Sequence, residues 1–187
     1  MKITLISVYP DLRSYGIRSI SACLKQEGHD VDLFFLTREF IERFENKTMD
    51  DLVKLTKGSD LIGISLMSNF WDNAVQITTK LKEHYETPIL WGGTHATIRP
   101  EECLEHADMV CIGEGEEALV ELTRKMQKGE YYYDVKGMGF KTNEKKVKQL
   151  VSFLEKNHSY DCPCIIASPI KKNNKNCLLY TSDAADE

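Results

Sequence analysis

Within the first 129 residues, a short apolar run rich in β-branched residues gives way to an amphipathic stretch five times over. The runs are Lys2 to Val8 (KITLISV), Val31 to Leu36 (VDLFFL), Leu61 to Leu66 (LIGISL), Ile89 to Trp91, and Met109 to Ile112. Each has the length and composition of a buried strand. After the first, Ile17, Ile20 and Leu24 fall at helical spacing, and Gly28 is placed to end that helix. After the second, Thr48 to Thr56 reads as a helix, with Thr48 and Asp51 as a capping box and Gly58 closing it. Trp71, Ala74, Val75 and Leu81 form the stripe of a third helix. Pro100 suits the first position of a fourth, followed by Glu101 and Glu102 at the positive end of its dipole. Ala118, Leu119, Leu122 and Met126 mark a fifth, with Gly129 at its end. Such alternation specifies a parallel sheet covered on both faces and joined by right-handed crossovers. Five units fit the flavodoxin-like (Rossmann-like) doubly wound α/β fold, strand order 2-1-3-4-5. Ligands of that fold bind at the carboxyl ends of the strands, near the switch between strands 1 and 3.

The rest of the chain is different in character. Residues 130–150 read as a β-hairpin, with Val135 to Lys141 and Lys145 to Leu150 flanking Thr142-Asn143-Glu144. From 151 to 187 the pattern fades into a poorly structured tail, polar at 171–176 (KKNNKN). Its end, residues 179–187, resembles translated sequencing-adapter read-through and is set apart as a scar, on which reading the natural protein continues further. A chain of 187 residues fits one domain with an appendage. Its net charge of −5, from 24 basic and 29 acidic residues, argues against a dedicated nucleic-acid binder. No apolar run has the length of a membrane span. The N-terminus is broken by Lys2, Thr4 and Ser7, unlike a signal peptide. The expectation is a cytoplasmic protein whose six cysteines are thiols.

Four loops lie at the carboxyl edge of such a sheet: Asp11 to Gly16 after strand 1; Ser65, Met67, Ser68 and Asn69 after strand 3; Gly92-Gly93-Thr94-His95 after strand 4; and Gly113-Glu114-Gly115-Glu116 after strand 5. Paired glycines at a strand end let backbone approach a ligand closely, and equally serve a tight turn. Ser65 can bond a buried ligand group or its own loop. No G-x-G-x-x-G follows strand 1 and no G-x-x-x-x-G-K-[ST] occurs, which disfavours a dinucleotide site and excludes a P-loop.

Taken together, the loops resemble the cobalamin (B12)-binding domain that precedes the catalytic barrel of B12-dependent radical SAM enzymes. The likeness covers about residues 1–150 and is most specific over Pro88 to Leu119. A Gly-Gly-x-His turn, a Pro-Glu-Glu helix start, Ala-Asp before strand 5 and a Gly-Glu-Gly-Glu turn follow in the family's order there. Tyr15-Gly16 with Leu24, Gly28, His29 and Val31 add a fainter N-terminal part. The resemblance implies that Gly92 and Gly93 line the channel for the nucleotide tail of cobalamin, with Ser65, Met67 and Ser68 beside it. It also implies that the first loop, including Asp11, Arg13, Tyr15 and Gly16, lies under the corrin ring. Gly113, Glu114, Gly115 and Glu116 would flank the same edge. His95 falls near the site, touching the tail or capping the helix at Pro100; a structural role next to the site is favoured, with no metal assigned to it.

The chain departs from the methionine-synthase and mutase type at one place. There D-x-H-x-x-G supplies a lower-axial His to cobalt; here the matching residues are Asp11, Arg13 and Gly16. A guanidinium has no lone pair to offer a metal, so no lower-axial ligand comes from this position. Radical SAM relatives commonly lack this His as well. The C-x-x-x-C-x-x-C needed for a [4Fe–4S] cluster is absent; Cys162 and Cys164 are spaced C-x-C, with no third member nearby. S-adenosylmethionine and the cluster are therefore expected only in a missing C-terminal barrel, and the chain alone is not expected to catalyse. Glu114, Glu116 and Glu117 read as the solvated first turn of a helix. Tyr131-Tyr132-Tyr133 reads as packing for the hairpin or against an absent neighbour. Two other functions compete. A cobalamin-free docking scaffold of the same family is compatible with the sequence. A signalling receiver would need an Asp after strand 3, where Ser65-Leu66-Met67 stands.

Overall fold

A computed structural model describes residues 1–9, 12, 14–36, 43–143, 168–169 and 176–179. Five parallel strands, β1 (Lys2–Ser7), β2 (Asp30–Phe35), β3 (Leu61–Ser65), β4 (Ile89–Gly92) and β5 (Met109–Cys111), stand in the order β2-β1-β3-β4-β5. That is the doubly wound order expected from the alternation. β1 pairs with both β2 and β3, so the switch point lies between β1 and β3.

Residue alternation along the strands divides the apolar side chains between two layers. Ile6, Ile62, Ile64, Ile89, Trp91 and Val110 face one layer. Helices α2 (Asn46–Thr56), α3 (Trp71–Lys82), α4 (Thr94–Ile98) and α5 (Pro100–His106) cover it, through Met49, Leu52, Ala74, Ile77, Leu81, Ala96 and Leu104. Ile3, Leu5, Leu61, Leu90, Met109 and Cys111 face the other. Helices α1 (Tyr15–Gln26) and α6 (Glu116–Lys128) cover that side through Ile17, Leu24, Leu119 and Leu122. Trp91 anchors the first layer. It is fully buried, its Nε1–H donates to Thr78 Oγ1 at 2.9 Å, and its ring meets Trp71 edge-on at 5.3 Å. At the amino edge, Lys82 Nζ lies 2.7 Å from Asp108 Oδ1 while Asp108 Oδ2 accepts the Ile89 N–H. One carboxylate thus pins the start of β4 to the start of β5.

Three details correct the sequence reading. Helix α2 begins at Asn46 with Glu45 at its N-cap, so Thr48 lies inside the helix and no capping box forms. The β4–β5 crossover holds two helices, because Pro100 cannot continue α4 and the chain breaks at Arg99. The sheet is wider than five strands: β6 (Met138–Asn143) adds antiparallel to β5, then β8 (Asn176–Leu179) and β7 (Ser168–Pro169) beyond it. The second expected hairpin arm, 145–150, lies outside the described residues. Tyr132 and Tyr133 pack on Phe140 of β6, with ring centroids 5.8 and 4.9 Å away. Among the described residues, no helix is long and apolar enough to cross a membrane.

A buried histidine ties α6 to the turn before β2. His29 Nε2 lies 3.0 Å from Thr123 Oγ1, which itself donates to Leu119 O at 2.7 Å. Burial first, and the nearby positive amino terminus second, hold the imidazole below its ordinary range, against an opposing pull from Glu27. The fold therefore favours neutral His29, while the unfolded chain protonates near about 6.5. This stabilisation is present above about pH 6.5 and is lost as the pH falls from there through the folded value. Burial lowers His106 in the same direction. The melting temperature is expected to fall on acidification from about pH 7 to pH 5. The His29→Gln variant should show a shallower fall by circular dichroism; an unchanged slope would remove His29 from this account.

Candidate functional site

The two central strands are small on one face only. Gly63 and Ser65 of β3 and Gly92 of β4 sit at i, i+2 positions on the α1–α6 side, while Ile62, Ile64 and Trp91 fill the other. Register places Gly63 between Leu5 and Leu90, and Ser65 between Ser7 and Gly92. A narrow slot of about 50 Å³ results, floored by Gly63, Ser65, Leu90, Gly92 and Cys111. Ile17 and Ile20 of α1 and Gly115 and Leu119 at α6 roof it. A Cβ on Gly63 would come within 2.8 Å of Leu5 Cδ2, and one on Gly115 within 2.7 Å of Ile20 Cδ1. The slot therefore exists because its floor and roof carry no side chains at those points. Burial, with Glu116 and Glu114 adding to it, raises the Cys111 thiol to about 11, so the slot wall bears no charge at neutral pH.

The slot opens at the carboxyl edge into a cleft of about 410 Å³. Ile17, Ile20, Ser65, Gly93, Gly113 and Gly115 line both spaces. Tyr9, Gly16, Met67, Thr94, Thr97, Ile98, Glu114 and Glu116 line the cleft alone. Its walls are tied together. Gly93 has φ +94°, and a Cβ there would stand 2.7 Å from Leu66 O, so the turn itself requires glycine. Thr97 Oγ1 donates to Gly93 O and accepts the Gly113 N–H, each at 3.0 Å, joining the loops after β4 and β5. The Tyr9 hydroxyl lies 3.4 Å from Ser65 Oγ, bringing the loop after β1 to the end of β3.

Of the residues singled out in the sequence, Gly16, Ser65, Met67, Gly93, Gly113, Glu114, Gly115 and Glu116 meet around the cleft, and Gly92 lies in the slot below it. Tyr15 stands on the rim, 80% exposed. Glu116 and Glu117 form the first turn of α6. His95 and Ser68 sit one layer back. The His95 ring is 8% exposed, its Nδ1 is 2.9 Å from Ser68 Oγ, and it packs 4.8 Å from Trp71. It lies inside α4, one turn before Pro100, and links the loops after β3 and β4 rather than facing the cleft. Asp11 and Arg13 lie outside the described residues. Sequence reasoning missed Gly63, Tyr9, Thr97, Ile17 and Ile20 as site residues. Only Gly63 left a signal, as the single glycine in an otherwise apolar strand.

Solved structures that share this fold include three that are each aligned over 77% of this chain. The radical S-adenosylmethionine methyltransferase TsrM from Kitasatospora setae, with tryptophan substrate and a SAM analogue bound, is 18% identical at a TM-score of 0.63. The same enzyme with cobalamin and a [4Fe–4S] cluster bound is 17% identical at 0.63. The apo form of OxsB, a cobalamin-dependent S-adenosylmethionine radical enzyme, is 20% identical at 0.60. This chain spans 29%, 27% and 21% of those chains respectively. No curated protein matches it. A model of the CutA1 divalent ion tolerance protein matches residues 136–184, mostly outside the described residues. The B12 binding domain model matches residues 1–123, the whole of the doubly wound sheet with its slot and cleft, and the chain belongs to the B12 binding domain family.

Proposed function

We propose that this chain binds cobalamin as the cofactor-carrying domain of a B12-dependent radical SAM enzyme, of the methyltransferase class. The observation that carries the reading is the glycine-walled slot opening into a cleft at the switch point of the sheet. A corrinoid has a matching form, a broad ring with a narrow nucleotide tail. Gly63, Ser65, Gly92 and Gly115 would hold the tail, with Ser65 at the mouth offering one hydroxyl to it. Gly16, Met67, Gly113 and Glu114 would lie under the ring. When bound, the cobalt supplies a centre that carries a methyl group. The chain's own residues bind and orient the corrinoid and keep water from its tail. S-adenosylmethionine and the iron–sulfur cluster belong, on this reading, to a barrel beyond this chain.

At about 50 Å³ the slot is smaller than the ~150 Å³ cavity that accepts a benzene ring, so tail entry requires Ile17 and Ile20 to move outward. Both belong to α1, whose contact with the slot is aliphatic and can slide. A second surface covering the cleft is supported by its rim. Leu12, Tyr15, Met67 and Ile98 are 56%, 80%, 43% and 63% exposed, on the loop after β1, the start of α1, the loop after β3 and the end of α4. Apolar residues grouped around a cleft mark a face that meets a ligand or partner. Arg13, which stands at the family's His position, would offer cobalt no imidazole ligand.

The test is retention of hydroxocobalamin by the 187-residue chain through gel filtration, read by visible absorbance. Corrin absorbance should co-elute. In the reduced cob(II)alamin form, the electron paramagnetic resonance spectrum should lack the nitrogen splitting of an axial imidazole. A Cβ on Gly16 would meet nothing within 4 Å, and the residue lies in the first turn of α1, so Gly16→Trp should fold and elute colourless. A folded wild-type chain that retains no corrin overturns the reading in favour of a docking scaffold. Gly93→Ala separates the turn from the ligand: it should cost about 1–3 kcal/mol in urea unfolding, with or without cobalamin. A Gly93→Ala chain of unchanged stability would mean that the turn does not need glycine.

A further inference from the structure

The amino edge of the sheet carries a further cavity, of about 420 Å³, that shares no lining residue with the slot or the cleft. We propose that it binds a small aromatic anion, a planar ring bearing one carboxylate or phosphate, held by the Lys141 ammonium and the Tyr132–Tyr133 ring pair. The proposal does not depend on the cobalamin reading. Topology makes the cavity. Because β6 runs antiparallel to β5, its far end returns to the edge where β4 and β5 begin. Phe140 pairs with Met109, and the Lys141 N–H donates to Asp108 O at 2.8 Å. Lys82, the last residue of α3, closes the same corner. The volume falls within the roughly 300–1,000 Å³ of small-molecule sites.

The charges of this corner do not cancel. Asp108 is already engaged: Oδ1 lies 2.7 Å from Lys82 Nζ, and Oδ2 accepts the Ile89 N–H at 2.9 Å. Lys141 Nζ donates to Glu105 O at 3.0 Å and, among the described residues, forms no ion pair. Burial first, and the neighbouring Lys82 cation second, pull its ammonium below the ordinary lysine range, with Asp108 and Glu105 opposing. An ammonium held this way gains from an anion that enters the cavity and accepts from its remaining N–H groups. Glu86, the other carboxylate of the lining, is exposed.

Aromatic rings supply the other wall. Tyr132 and Tyr133 stack 4.8 Å apart at 16°, and Tyr133 lies 4.9 Å from Phe140. Burial first, and Tyr133 beside it, push the Tyr132 hydroxyl up to about 12, so this wall carries no negative charge at neutral pH. Aromatic rings pack best against other planar rings, offset or edge-on. A bare inorganic anion would use the ammonium and leave the rings idle. A neutral ring would use the tyrosines and leave the ammonium desolvated and unpaired. The two walls together call for a ring with one anionic head group.

The experiment is calorimetric titration of the 187-residue chain with naphthoate, naphthyl phosphate, cyclohexanecarboxylate and naphthylmethylamine. At least one naphthyl anion should bind, and the tighter of the two identifies the head group. The cyclohexane acid should bind severalfold more weakly than naphthoate, and the amine should not bind. Lys141→Met keeps the aliphatic stem and should weaken binding roughly ten- to a hundredfold. Lys141→Arg should keep most of the affinity. A folded wild-type chain that binds neither naphthyl anion overturns the proposal. So does a cyclohexane acid that binds as tightly as naphthoate, an amine that binds as tightly as the anions, or an unchanged affinity in a folded Lys141→Met chain. Saturating hydroxocobalamin should leave the affinity for the naphthyl anion unchanged; competition between them would put the anion in the cleft and overturn a separate site.

Discussion

The central strands of a parallel sheet must be covered on both faces, and this sheet leaves part of one face unfilled. At Gly63, Ser65 and Gly92 the side chains that would meet α1 and α6 are missing or small, and every other feature of the site follows from that. A large aliphatic residue at such a position contributes about 1.5–3 kcal/mol through burial. The slot gives up several such contributions in the middle of the domain. The opposite face offsets them: Ile62, Ile64 and Trp91 belong to the same strands and are among the most buried side chains present. These two strands are thus fully packed on the α2–α5 side, while on the α1–α6 side they floor the slot.

The walls of the cleft differ in how they are held. On the β3–β5 side, backbone and side-chain bonds cross from loop to loop. Leu66 N–H donates to Gly92 O, Thr97 bridges Gly93 and Gly113, and His95 reaches Ser68. A change at any one of these is transmitted to the others, so this wall behaves as one piece. On the other side, α1 meets the slot through Ile17 and Ile20, whose contacts are non-directional. Rotamer changes there break no hydrogen bond.

The layout of the sheet was legible because periodicity and punctuation agreed: apolar runs at regular intervals, with glycine after the first, second and last helices. The misses have physical causes. Helix α4 has five residues, too few to show a period, and Pro100 drew attention to the start of α5 instead. The capping box at Thr48 failed because the helix had already begun at Asn46. The place of β6 beside β5 depends on long-range pairing, which no local pattern encodes. Within the site, Ile17 and Ile20 looked like ordinary core residues of a helix stripe. Thr97 and Tyr9 had nothing in their surroundings to distinguish them from loop polar groups.

The same contrast explains why the stretch Pro88 to Leu119 is so recognisable. Much of what makes it distinctive holds the scaffold rather than a ligand. Asp108 staples β4 to β5, Pro100 breaks the crossover, His95 ties two loops, and Gly93 takes a conformation that other residues enter only with strain. Residues that face the slot contribute mainly by being small, and smallness leaves a faint mark in a sequence. A binding site of this kind is therefore specified twice. Conspicuous residues fix the loops in space, and inconspicuous ones subtract volume from the layer beneath. A chain could keep the first set and fill the slot with one or two larger side chains; it would retain the family's appearance while losing the space a ligand needs. Here both sets are present, since Gly63, Gly92 and Gly115 accompany the loop network.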